Sequence, residues 1–183
     1  MVKVGFIIGS TRENSLSQRV AKAIASLLPA EYESEYLMLG HLPLYNQDQD
    51  LKDEIPKEHL EFREAVMALD SIIFVTPEHN RSMPAALKNA LDIGSRSVRE
   101  NIWAKKPALI VSQSPGAISG FGANHHLRQT LTFVDMPVVQ QPEVYITNTP
   151  ALFGEEGEIL VDGTKDFLQS AVDAFVDLNK RYE

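Results

Sequence analysis

The 183-residue chain has no cysteine. Disulfides, thiolate nucleophiles, iron–sulfur clusters and cysteine-based zinc sites are therefore excluded, and so is a disulfide reductase acting through its own thiols. Long apolar runs are missing too: none reaches the ~18–20 residues that span a bilayer. The opening MVKVGFIIGS has one lysine, a short apolar run and no small-residue cleavage site. It reads as a buried first strand rather than a secretion signal, and the protein as cytoplasmic. Positive charge is scarce, with 17 Lys and Arg against 25 Asp and Glu and a formal net charge of −8. That balance permits local phosphate binding but makes broad nucleic-acid binding a poor fit. What remains, 44% hydrophobic and 23% charged residues, is ordinary for a soluble globular protein, and the length suits one domain over residues 1–183.

Short apolar segments alternate with helical ones. Residues 2–8 read as a buried strand. Residues 16–28 follow with Leu16, Val20, Ile24 and Leu27 on one helical face. Further strands are expected at 33–39, 71–76, 107–112 and, irregular around Pro142, 138–146. Helices are expected at 57–69, from Pro84 to about Gly94, at 121–134 and at 164–181, with surface loops at 40–55 and 147–160. Five such alternations imply βαβ units, a parallel sheet and helices on both faces, an α/β sandwich of three layers. Ligands in such folds sit at the carboxyl ends of the strands, and the unusual residues here follow strands one, three and four.

The first of these loops is Gly9-Ser10-Thr11-Arg12-Glu13-Asn14-Ser15. Successive N–H groups in a tight turn, a helix N-terminus, the hydroxyls of Ser10, Thr11 and Ser15, and the donor fork of Arg12 together suit a phosphate. The Gly-Lys-Ser/Thr ending of a P-loop is absent, and Gly9 alone does not make a three-glycine dinucleotide fingerprint, so a single phosphate monoester fits best. The competing reading is a plain helix cap at Asn14 or Ser15. After the third strand, Pro77-Glu78-His79-Asn80 offers backbone groups to the edge of a planar ring, or is an ordinary turn. After the fourth, Gln113-Ser114-Pro115-Gly116 begins a glycine-bearing loop that allows close approach, or is merely flexible. His125 and His126 point about 100° apart on a helix and cannot easily share a metal. No G-x-S-x-G elbow exists, and Glu155, Glu156 and Glu158 read as a solvated loop.

Taken together, G-S-T-R-E-N-S at 9–15, P-E-H-N at 77–80, L-K-N-A-L-D at 87–92 and H-L-R-Q-T-L at 126–131 resemble the NADPH-dependent FMN reductase family. This is the flavodoxin-like group that includes quinone, azo dye and chromate reductases. The resemblance implies a flavodoxin-like five-stranded parallel sheet of order 2-1-3-4-5. It implies non-covalent FMN, its phosphate on Ser10, Arg12, Ser15, Leu16, Ser17 and Gln18. Its ring would lie against Pro77, Glu78, His79 and Asn80, with Gln113, Ser114 and Gly116 on the other side. NAD(P)H would supply hydride, and two electrons would pass on to a quinone, azo compound, metal oxyanion or free flavin by a ping-pong route. Arg81 and Arg96 are candidates for the nicotinamide cofactor's phosphates. A homodimer or homotetramer is implied, with the flavin near the subunit boundary.

Three departures stand out: His79 replaces the family's usual Tyr, Gln18 stands where Asn is common, and Ser114-Pro115-Gly116 stiffens the third loop. A flavodoxin-type electron carrier is the alternative function. It would bracket the ring with Trp or Tyr, yet Trp103 lies outside all three loops and the loops have no Tyr.

Overall fold

The computed structural model describes residues 1–95 and 100–182. Five strands, β1 (Val2–Ile8), β2 (Tyr32–Leu37), β3 (Ser71–Thr76), β4 (Ala108–Gln113) and β5 (Val144–Ile146), form a parallel sheet of order β2-β1-β3-β4-β5. This is the flavodoxin-like order expected. The helices are α1 (Leu16–Ala25), α2 (Gln47–Leu51), α3 (Lys57–Met67), α4 (Ala85–Ser95), α5 (Phe121–Phe133), α6 (Thr149–Leu152) and α7 (Asp162–Asn179).

The continuous apolar runs follow from two-sided burial. In β3, Ile72 and Phe74 enter the core beneath α3, α4 and α5, whereas Ile73 and Val75 enter the core beneath α1 and α7. β4 splits in the same way, Ala108 and Ile110 against Leu109 and Val111. Each fully buried side chain of this size contributes about 1.5–3 kcal/mol over an exposed one, so the central strands specify their own position.

Three expectations shift. The loop at 40–55 contains the short helix α2, because Asn46 Oδ1 accepts from Asp48 N at 3.0 Å and acidic residues occupy the positive first turn. The stretch at 147–160 contains α6, with a proline in its first turn, and then an antiparallel bridge between Phe153 and Ile159. The fifth strand is shorter than expected. Val138 makes only an isolated bridge to Ala108, and regular pairing resumes at Val144, since Pro142 between them has no N–H to donate. The glutamates of the 153–160 segment are exposed, as expected, but also tether it to α1. Lys22 Nζ donates to Glu156 Oε2 at 2.8 Å, which raises the lysine's pKa and lowers the carboxyl's.

Opposite the loops, the amino edge of the sheet is closed by paired polar groups. The buried Arg63 donates to the carbonyls of Ile93 (3.0 Å), Gly94 (3.1 Å) and Glu100 (2.7 Å), capping the end of α4. Trp103, fully buried, donates from Nε1 to Leu91 O at 3.0 Å and lies tilted on Phe62 and Phe74. Gly94 is required beneath it, since a Cβ there would fall 2.2 Å from Trp103 Nε1. Lys106 donates to the carbonyls of Leu69 and Met67 at the end of α3, and burial lowers its pKa.

Candidate functional site

Because β1, β3 and β4 are neighbours running in one direction, the segments that follow them emerge side by side. All three sequence-predicted loops are therefore brought together at the carboxyl edge.

In the first loop, Ser10 and Ser15 are buried while Thr11 and Arg12 are exposed. Ser15 caps α1, its Oγ accepting from Gln18 N at 3.2 Å. The cap reading therefore holds for Ser15, and the cap engages only its hydroxyl and the Gln18 N–H. Among the described residues, the N–H groups of Thr11, Leu16 and Ser17 have no hydrogen-bond partner, which leaves the first turn of α1 open to an acceptor from outside. Asn14 takes a positive φ of 51°, which turns the chain into the helix. Gln18 leans away, with its Nε2 3.9 Å from Met38 Sδ.

The second loop is a tight turn. His79 and Ser82 exchange backbone hydrogen bonds at 2.9 Å, and the two residues between them, Asn80 (φ 50°) and Arg81 (φ 66°), both have positive φ. That pairing is the mark of a type I′ turn, which asparagine tolerates well and arginine does not. His79 and Asn80 are exposed. The Glu78 carboxylate is turned toward α5, where Oε2 accepts from Gly122 N at 2.7 Å and Ala123 N at 3.3 Å. It fills the N-terminus of a helix whose own cap, Gly120, has no side chain to do so. Gly122 permits this approach, for a Cβ there would lie 2.4 Å from Arg81 O. Arg81 Nη1 reaches Glu78 Oε1 at 3.3 Å, and His126 Nδ1 lies 2.8 Å from Ser82 Oγ. Arg96 lies outside the described residues.

The third loop is braced from behind. Ser114 N donates to Ile146 O (2.9 Å), Thr149 Oγ1 to Ser114 O (3.0 Å) and Thr147 Oγ1 to Gly116 O (3.0 Å). Thr147 and Thr149 are supports that sequence reasoning missed, since nothing local marks a threonine more than thirty positions away as a brace. Gln113 is 4% exposed and donates from Nε2 to Ser17 Oγ at 3.0 Å, tying the third loop to the first. Its Oε1 is buried without a partner.

Beyond this loop, Phe121 (51% exposed), His125 and Tyr145 form an aromatic cluster. The Tyr145 hydroxyl lies 3.1 Å from His125 Nε2. Burial first, and then the Glu143 carboxylate, raise its pKa to about 12. Trp103 is deep in the core at the amino edge and cannot bracket a ligand at these loops. Among the described residues, no group of three or more His, Asp or Glu side chains is arranged to hold a metal ion. No described helix is long and apolar enough to cross a membrane.

Comparison with known proteins agrees with this arrangement. The chain is 46% identical over 180 residues to a quinone reductase of Pseudomonas putida, covering 97% of this chain and 96% of the relative. It is 36% identical to a 2-hydroxy-1,4-benzoquinone reductase of Burkholderia sp, covering 95% and 94%. Its fold superposes on the flavoenzyme NAD(P)H:(acceptor) oxidoreductase of Paracoccus denitrificans with a TM-score of 0.92 at 32% identity, covering 100% and 99%. The model of the NADPH-dependent FMN reductase family matches residues 2–151, which takes in all three loops. The chain therefore belongs to the NADPH-dependent FMN reductase family, as an oxidoreductase whose cofactor is FMN and whose electron donor is NAD(P)H.

Proposed function

We propose that this protein is an FMN-dependent NAD(P)H:quinone reductase working by alternate use of one site. The observation that carries the reading is the set of unpartnered donors at the carboxyl edge. Open N–H groups at the start of α1, buried hydroxyls and an exposed guanidinium suit a phosphate dianion and little else. The phosphate would be held by Ser10, Thr11, Arg12 and the turn Ser15-Leu16-Ser17-Gln18. The ring would be held by Pro77, Glu78, His79 and Asn80 from the second loop and by Gln113, Ser114 and Gly116 from the third. The quinone as acceptor rests on the names of the relatives in Pseudomonas putida and Burkholderia sp.

When bound, FMN supplies the hydride-accepting and electron-donating chemistry. The chain's own task is placement. The first loop anchors the phosphate through donors, and no side chain need act as nucleophile or base. The type I′ turn and the threonine-braced third loop hold backbone N–H groups toward the ring edge, where reduction adds negative charge. Glu78 keeps the positive end of α5 to itself, so backbone groups rather than that helix face the ring. Arg81 is the described candidate for the donor's phosphates; Glu78 holds only its Nη1, so its other N–H donors remain for them. Exposed Ile118 and Phe121 beside the third loop favour closure of the site by a second copy, giving a homodimer or homotetramer.

The test is the visible spectrum of the purified protein, then reduction by NADPH without oxygen, then addition of 1,4-benzoquinone. Flavin bands that bleach with NADPH and return with the quinone, together with parallel double-reciprocal plots, are expected. Bound flavin that both NADPH and NADH leave oxidised would favour the electron carrier instead. Intersecting plots would remove the shared site.

A further inference from the structure

The two threonines that brace the third loop grip two different kinds of peptide. Thr149 Oγ1 donates to Ser114 O and Thr147 Oγ1 to Gly116 O, each at 3.0 Å. Both partners are carbonyls, so in both bonds the hydroxyl is the donor. A trans peptide points its C=O and its N–H in opposite directions. Gln141-Pro142 is the cis bond among the described residues, and the third loop has none. Fixing a carbonyl of this loop therefore fixes the direction of the N–H that follows it. After Ser114 comes Pro115, which has no N–H. After Gly116 comes Ala117, whose N–H has no partner among the described residues. The Thr149 brace thus aims no donor, and the Thr147 brace aims one.

The sheet order gives the direction. Thr147 follows β5 at the margin of the sheet, whereas the first and second loops follow β1 and β3, on the other side of β4. The Gly116 carbonyl points toward Thr147, so the Ala117 N–H points back toward the first two loops. Ser119 N closes a turn onto the same carbonyl at 3.3 Å, with Ala117 at its first inner position. Ser119 Oγ takes up the Ala117 carbonyl, also at 3.3 Å. The N–H is the one backbone group of exposed Ala117 left open.

We propose that Thr147 is a positioning residue: by holding the Gly116 carbonyl it aims the Ala117 N–H at the edge of the flavin ring and so sets how strongly the site favours reduced over oxidised FMN. The proposal rests on the third loop being one flank of the FMN ring. Reduction adds negative charge to the ring, and an N–H fixed in place is worth more to the charged form than to the neutral one. Without the brace the same peptide is free to turn its carbonyl, an acceptor, to that place. Thr147 itself need not touch the ring, because it acts through the peptide it holds.

The experiment is a potentiometric titration of the FMN-loaded protein, followed in the visible spectrum, for wild type, Thr147→Val, Thr147→Ser, Thr149→Val and Ala117→Pro. Valine keeps the shape of threonine and removes the donor. Thr147→Val is expected to weaken reduced FMN about tenfold relative to oxidised FMN, which lowers the two-electron midpoint potential by about 30 mV. Affinity for oxidised FMN stays within about twofold, and the unfolding midpoint barely moves, since Thr147 is exposed. Thr147→Ser restores the hydroxyl and with it the potential. Thr149→Val, at a fully buried position, lowers the thermal midpoint but leaves the potential in place. Ala117→Pro deletes the N–H itself, at the turn position that proline favours. It lowers the potential at least as far, and adding Thr147→Val then shifts it no further. An unchanged potential in Thr147→Val, equal shifts in the two valine variants, or a further shift in the Ala117→Pro background would each overturn the proposal. A wild-type protein that takes up no FMN would instead overturn the reading of the site itself.

Discussion

The two edges of the sheet are built on opposite terms. At the amino edge, Arg63, Trp103 and Lys106 spend their donors on the carbonyls that end α3, α4 and their connections. At the carboxyl edge, the N–H groups of Leu16 and Ser17 that begin α1 have no partner among the described residues, and the Ser10 and Ser15 hydroxyls beside them act only as acceptors there. One edge satisfies its helix ends from within and the other leaves them open, as the proposed FMN phosphate site requires. The same backbone rule, that helix ends leave polar groups unpaired, thus yields stability at one edge and the proposed binding site at the other.

That division is open to direct test. Arg63→Leu removes the guanidinium that donates to three carbonyls, of which only that of Gly94 keeps another donor among the described residues, the Ile102 N–H. It is expected to cost about 4 kcal/mol in urea-induced unfolding, with FMN affinity of the remaining folded protein unchanged. If FMN affinity falls along with stability, the edges are not separate. Gly94→Ala drives a methyl group into the rigid Trp103 ring and is expected to lower stability by about 1–3 kcal/mol, read from the thermal midpoint, again without effect on FMN. Arg12→Ala is the converse: FMN binding should weaken by about 1.5–3 kcal/mol in a fluorescence titration, while the unfolding midpoint barely moves.

The smallest effect belongs to Tyr145, whose neutral phenol the fold favours. A pKa raised from about 10 to about 12 means that this contribution is complete below pH 10 and is lost as pH rises through 12. Difference spectra of tyrosinate between wild type and Tyr145→Phe should show this one group ionising late, with no change near neutral pH.

Much of this was legible in the sequence, for physical reasons that also mark the limits. Strands such as 71–76 announce themselves because both faces are buried, so every position is apolar or small. The first loop is readable because a strand, a cluster of hydroxyls and an amphipathic helix follow one another without interruption. The short helices α2 and α6 were hidden, as their stability comes from one cap or one proline rather than from a repeating face. The fifth strand was overestimated because apolar residues before Pro142 resemble a strand whether or not the ladder can continue through it. The contacts that organise the site, Glu78 with Gly122, Gln113 with Ser17 and Thr149 with Ser114, join residues 35 to 96 positions apart. No periodicity or turn rule carries such information, because it arises only when strand order is set.

The makeup of the three loops has a consequence for chemical durability. Quinones add readily to thiols, and reduced quinones and flavins that meet oxygen yield peroxide, which attacks exposed sulfur. The loops act through backbone amides, hydroxyls and a guanidinium. The one sulfur among residues 9–18, 77–84 and 113–120 belongs to Met83, which is 8% exposed. If quinones are the acceptors, as proposed, the three loops offer them no thiol and only this one shielded thioether, and the exposed sulfur nearest to them is that of Met38 beside Gln18, the place where oxidative damage is expected first.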